Sequence, residues 1–134
     1  FVLYKASRYD IKRKKHLTTG SKYYVTDVCL RYYLLGSKNA DEGYILENIV
    51  YLELLRRGYE VYVGKVDDYE VDFVAINSSG KKDEKTLKRE LKALDNIKDH
   101  NPKFLLTTDY SPYTSYNGIK QINVFDWLLE KYQK

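Results

Sequence analysis

The apolar positions change period several times along the chain, and each change predicts an element. From Tyr44 to Arg57 the residues Ile45, Leu46, Ile49, Val50, Leu52, Leu54 and Leu55 take up most of a helical circumference. That breadth predicts a helix buried on more than one side, with Gly58 at its end. Tyr59–Lys65 and Glu70–Asn77 then carry strand-type residues around the acidic turn Val66-Asp67-Asp68-Tyr69. Alternation on the second strand places Val71, Phe73 and Ala75 on one face and Glu70, Asp72, Val74 and Ile76 on the other. Apolar residues on both faces predict a central strand.

After the turn Asn77–Gly80, Leu87, Leu91, Leu94 and Ile97 form one stripe, which predicts an amphipathic helix over Asp83–Asp99 with Asp83 as its N-cap. A strand Lys103–Thr108, a loop Asp109–Gly118, a strand Ile119–Asn123 and a helix Val124–Tyr132 capped by Asn123 complete the series. The beginning of the chain is less patterned. Phe1–Ser7 is too short to assign, Arg8–Gly20 reads as a basic connection, and Ser21–Val25 reads as a strand. Val28–Leu35 reads as a helix capped by Thr26 or Asp27 and closed by Gly36. The expectation is a single α/β domain, in which residues 1–40 are a basic segment and short helix leading into a core formed by 41–134.

Two acidic residues fall within apolar elements: Glu47 on the long helix and Asp72 on the second strand. A carboxylate in such surroundings costs free energy unless something compensates it. A tyrosine hydroxyl or a lysine would serve Glu47. For Asp72, backbone amides, a nearby Lys or Arg, or a bound cation would serve, and the residues leave these open.

Composition narrows the class. With 43% hydrophobic and 31% charged residues among 134, the chain has the makings of a core and is not a disordered segment. Its apolar runs are too short to span a bilayer, so no membrane partner is expected. The single cysteine, Cys29, cannot form an internal disulfide and suggests a reducing, cytoplasmic setting. It is expected to be an inert buried thiol. The net charge of +4 is concentrated in Lys5–Lys22, where Lys12, Arg13, Lys14, Lys15 and Lys22 belong to a basic run opposed by Asp10 alone. Such a run is either a solvated turn or a contact for a phosphate backbone. Fifteen tyrosines favour surface contacts, since interfaces and base-stacking platforms both use that ring. His16 and His100 have no zinc-type spacing, and no phosphate-binding glycine loop is present. The chain has no Met and begins mid-pattern, which reads as a fragment of a longer protein.

The order helix, strand, strand, helix, strand, with an acid on the first helix and Asp on the second strand, resembles the PD-(D/E)XK nuclease superfamily. More closely, the sequence is similar to the C-terminal domain-of-unknown-function family that follows the ATPase module of prokaryotic AAA+ proteins. The matching phrases are KYYVTDVCLRYYLLG (Lys22–Gly36), LENIVYLELLRRGYEVYVGK (Leu46–Lys65), EVDFVAIN (Glu70–Asn77) and GIKQINVFDWLL (Gly118–Leu129). They cover essentially the whole chain.

The resemblance implies a restriction-endonuclease-like core, a mixed central sheet flanked by helices. In active members the strand aspartate and a Glu-x-Lys on the next strand hold Mg²⁺ and position the attacking water. Asp72 then matches the metal-binding, catalytic aspartate, and Glu47 the acid contributed by the first helix. The Glu-x-Lys strand has no match. Asn77–Lys82 is too short to cross a sheet and return, and Lys81 and Lys82 lie on a turn. That strand is therefore expected to be deleted or missing from the stretch.

Three functions follow as expectations. One is an accessory domain that touches nucleic acid through Lys12–Lys15 and Lys22 without cleaving it. Another is an active Mg²⁺-dependent nuclease. The third is an interaction or self-association module for the ATPase. ATP itself would be bound upstream.

Overall fold

The computed structural model describes residues 2–36, 42–77, 85–88, 91–110 and 115–131, with 85–88 and 91–92 as backbone only. The strands, in chain order, are β1 (Leu3–Asp10), β2 (Lys15–Val25), β3 (Tyr59–Val66), β4 (Tyr69–Asn77), β5 (Lys85–Lys88), β6 (Lys103–Thr107), β7 (Ser115–Tyr116) and β8 (Ile119–Asn123). They form one mixed sheet in the order β2-β1-β3-β4-β5-β6-β8-β7. The helices are α1 (Val28–Leu35), α2 (Glu42–Arg56), α3 (Leu91–Asp95) and α4 (Val124–Leu128). The protein is a mixed α/β fold.

Two cores lie on opposite faces of the sheet. Val50, Tyr51 and Leu54 of α2 and Trp127 of α4 pack on Ala6, Tyr24, Val61, Val63, Phe73 and Ala75. On the reverse face Ala93, Leu94 and Ile97 pack on Val71, Val74, Leu105 and Ile119. The buried positions of α2 (Glu47, Asn48, Val50, Tyr51 and Leu54) lie on its sheet side, while Ile49 opposite them is exposed. The helix is therefore not buried on more than one side as its apolar breadth predicts. Gly58 ends it at φ +81°. The Asp27 carboxylate accepts from the Cys29 amide at 2.8 Å and opens α1. Asn123 caps α4 in the same manner.

Several sequence expectations change. The beginning of the chain is a hairpin, not a connection: β1 pairs antiparallel with β2 and parallel with β3. Its exposed, Lys- and Thr-rich second strand lacks the apolar alternation that identifies a half-buried strand. Between the pairs Ala6↔Lys22 and Arg8↔Leu17, β1 has Ser7 alone while β2 has Thr18–Ser21. That detour turns at Gly20, where φ is +78° and an added Cβ would press on the Arg8 guanidinium at 3.0 Å.

The helix expected over Asp83–Asp99 divides into β5 and the shorter α3. A strand therefore does lie between β4 and β6, pairing antiparallel with the first and parallel with the second. Leu87 and Leu91 are spaced like helical neighbours, but strand geometry lets Lys85–Lys88 supply backbone partners on both sides. Local spacing yields to that tertiary demand. Asp83, the expected cap, lies outside the described residues.

Cys29 is exposed rather than buried, because α1 buries none of its residues. The faces of β4 also differ from simple alternation. Tyr62 pairs with Val74 and Gly64 with Val71, so Asp72 and Phe73 together oppose Val63. This is a β-bulge, and it reverses the phase of the strand. Val71 and Val74 both face α3, while Phe73 and Ala75 face α2. Gly64 makes the doubled strand possible, since a Cβ there would lie 2.9 Å from both Val71 and Val74.

Candidate functional site

The polar groups beneath α2 form a single connected network. Tyr24 of β2 is fully buried, stacked on Tyr51 with ring centroids 4.1 Å apart. Its hydroxyl donates to Glu47 Oε1 at 2.6 Å. Lys22, two residues earlier and on the same face, donates to the same oxygen at 3.1 Å. The Lys22 ammonium also meets Glu70 Oε1 at 2.5 Å, and Arg8 Nη2 reaches Glu70 Oε2 at 2.8 Å. Four elements thus contribute to one alternation of acids and bases: Arg8 from β1, Lys22 from β2, Glu47 from α2 and Glu70 from β4.

Asn48, fully buried beside Glu47, fastens α2 to the sheet. Its amide accepts from the Val25 N–H at 2.9 Å and donates to the Val25 carbonyl at 2.8 Å. The side chain stands in for a neighbouring strand, satisfying backbone groups that would otherwise be stranded.

The electrostatics follow from this arrangement. Burial raises the Tyr24 hydroxyl above its ordinary range, and the charges of Glu47 and Asp72 add to the effect. For Lys22 burial disfavours the charge, but Glu70 and Glu47 outweigh it and the net shift is upward. Lys22 is therefore a fixed cation, and Tyr24 a fixed hydrogen-bond donor.

Asp72 is half-buried and close enough to Tyr24 to influence its ionisation. The bulge thus brings Asp72 and Glu47 to the same aromatic centre. Their grouping does not make a metal cage. Glu47 and Glu70 give their oxygens to Lys22, Tyr24 and Arg8, and among the described residues no three His, Cys, Asp or Glu side chains converge. A hard divalent ion needs several open oxygens directed at one point, and the described donor set does not fit one.

The basic run divides. Lys12, Arg13, Lys14 and Lys15 are all exposed at the β1–β2 turn, where Lys14 adopts φ +49°. Lys12 pairs with Asp67 of the β3–β4 turn. The Arg13 amide donates to Asp10 at 2.9 Å. Lys22 is not part of that surface; it turns inward beneath α2. Sequence reasoning overlooked Arg8, Tyr24 and Glu70. The signal available for Glu70 was its place two residues before Asp72, on one face of the same strand. Arg8 stood in the sequence only as a member of the basic segment, with no sign of its pairing to Glu70.

A separate recess of about 310 Å³ lies beside the beginning of α2, lined by Glu42, Leu46, Leu106, Thr107, Thr108 and Asp109. Its two carboxylates oppose a phosphate, so an anionic ligand belongs elsewhere. No described helix is long and apolar enough to cross a membrane.

Comparison with known proteins finds relatives without a described activity. An uncharacterized protein of Haemophilus influenzae is 43% identical over 138 residues, which takes in 97% of this chain and 34% of that protein. An uncharacterized protein of Methanocaldococcus jannaschii is 43% identical over 63 residues, 44% of this chain and 14% of that protein. No family model matches the sequence, and no solved structure matches it. The chain spans about a third of the length of the Haemophilus relative to which it is similar.

Proposed function

We propose that the chain is a nuclease-fold accessory domain of a prokaryotic AAA+ ATPase, a PD-(D/E)XK-like scaffold that holds nucleic acid without cutting it. The observation that carries this reading is Lys22, set between Glu47 and Glu70. With Arg8 and the Tyr24 hydroxyl it occupies carboxylate oxygens that a catalytic Mg²⁺ would need. Glu47 and Glu70 are neutralised from within. Support for contact with a phosphate backbone comes from the exposed Arg13, Lys14 and Lys15. Lysine and arginine at phosphates give sequence-independent, salt-sensitive binding. ATP would be bound by another part of the longer protein.

An active Mg²⁺-dependent nuclease is the second reading. The bulge that brings Asp72 toward the Glu47 side favours it. So does the acid-x-lysine spacing of Asp83-Glu84-Lys85, whose lysine begins β5. A module for self-association or for docking the ATPase has the exposed Tyr33 and Leu34 of α1 in its favour.

Labelled DNA and RNA strands, titrated with and without Mg²⁺ or Mn²⁺ across a range of salt, test these readings. Binding at low salt that weakens steeply with added salt, without cleavage, is the expected result. Lys14→Ala with Lys15→Ala should weaken it uniformly across sequences and reduce the salt slope by about two. Metal-dependent nicking that disappears in Asp72→Ala would install the second reading. Absence of binding at low salt would remove nucleic acid altogether.

A further inference from the structure

On the face opposite α2, Tyr9, Ile11, Val66 and Tyr62 join the core that contains Leu94 of α3, whereas Lys5, His16 and Tyr23 of the outer strands β1 and β2 stay exposed. Alternation along β1 is regular there: Tyr4, Ala6 and Arg8 face α2, as their contacts with Tyr51, the core and Glu70 require. Lys5 and Tyr9 therefore share the other face, with their cross-strand partners Tyr23 and His16. Helix α3 packs further along, on Val71, Val74 and Leu105.

What the exposed part of this face displays is aromatic and cationic. Tyr9 lies across from His16 with rings 5.4 Å apart, and His16 lies 4.8 Å from Tyr62 on the same side. Tyr9 is the buried floor of this group, and His16 is exposed above it. Tyr23 is 53% exposed and stands four residues along β1 from the His16 pair, about 14 Å by strand rise. Lys5 is exposed beside it. The Lys12–Lys15 turn borders the other end. Glu60, which accepts from the Tyr62 hydroxyl at 3.1 Å, marks the limit of the positive surface.

We infer that a single-stranded nucleic acid lies across this face, its bases stacked on Tyr23 and on the His16–Tyr62 pair and its phosphates held by Lys5 and by Arg13, Lys14 and Lys15 of the β1–β2 turn. The inference rests on the nucleic-acid reading above and specifies the form of its ligand. A sheet with exposed rings flanked by cations is suited to unpaired bases, whose π-faces are free to stack. A duplex hides those faces and is read by elements that enter a groove, and no helix stands on this strand surface among the described residues to enter one. The cationic borders suit a polyanion better than an apolar protein partner.

Fluorescence anisotropy with a labelled thymidine 20-mer, and with a duplex of matched length, tests this on the full chain at low salt. The single strand should bind more tightly. Tyr23→Ala and His16→Ala should each weaken it at least about fivefold and together roughly twenty-fold or more. Tyr23→Phe and His16→Phe should retain most of the affinity, because they keep the ring and lose only the polar atoms. All four changes are on exposed side chains, so circular dichroism should report an intact fold. Equal binding of duplex and single strand, insensitive to both alanine changes but weakened by Lys14→Ala, would overturn this inference and leave the nucleic-acid reading standing. No binding of either oligonucleotide would overturn both.

Discussion

Tyr23 and Tyr24 are neighbours on one strand and share a side chain, yet they occupy opposite physical environments. Tyr24 is fully buried among Tyr51, Phe73 and Glu47. Tyr23 is more than half exposed on the opposite face. The same contrast holds for the two sides of the β2-β1-β3 sheet. On the α2 side the charged groups pair with one another, with Glu47 buried under the helix and Lys22, Arg8 and Glu70 partly open to water. On the other side Tyr23, His16 and the lysines are exposed, with no helix over them among the described residues. Strand alternation puts consecutive residues on opposite faces, so a short run such as KYY can contribute both to a core and to a surface. Identity of residue type says little here about role. Which face has a helix over it decides.

The contrast is broken most directly by truncating each tyrosine in turn. Tyr24→Ala removes a fully buried ring and the hydroxyl that satisfies Glu47, and should destabilise the fold by about 3–5 kcal/mol. Tyr23→Ala should change stability by no more than about 0.5 kcal/mol. Urea unfolding followed by circular dichroism measures both. If the two values were alike, the assignment of faces would be wrong.

Asn48→Ala should come next, at about 2–3 kcal/mol in the same assay. It strands the amide and carbonyl of Val25, and a buried unpaired group costs more than a lost bond alone. An effect no larger than that of a surface substitution would show that α2 does not depend on this clasp.

A smaller effect should appear under acid conditions at the other end of α2. Glu53 accepts from Arg56 at 2.6 Å and from Arg57 at 2.7 Å, and Arg57 lies 4.2 Å over the Trp127 ring. Hydrogen bonds from Arg56 lead in lowering the Glu53 carboxyl to about 2. A carboxyl depressed in the folded state stabilises above its unfolded value and loses that contribution as pH falls through the folded value. Stability should therefore decline between about pH 4.5 and 2, and Glu53→Gln should flatten that limb by about 1 kcal/mol once solvent screening is allowed for. Thermal melts across that range provide the check, and an unchanged slope would remove Glu53 from the account.

Much of the core was legible in the sequence. The period of α2, the strands β3, β4, β6 and β8, and the caps at Asp27 and Asn123 follow from apolar spacing and from short polar side chains ahead of helices. Each of those signals is local, and local free energies agree with the tertiary structure at these places. It was also legible that Glu47 needed a compensating group. That Lys22 and Tyr24 together supply it was not, because they reach it across a hairpin whose polar second strand looked like a connection.

What the chain determined alone is the identity and order of its well-patterned elements, and the presence of acids where an apolar element must accommodate them. Tertiary structure decided the rest. Pairing with both β4 and β6 made Lys85–Lys88 a strand despite helical spacing, since two adjacent strands offered backbone partners. The extra residue at Asp72-Phe73 reversed the phase of β4, and only the register against β3 specifies such a bulge. Lys22 went inward and Lys15 outward for the same kind of reason: a side chain's surroundings are fixed by what the fold brings to that face, and residues far apart in sequence set that.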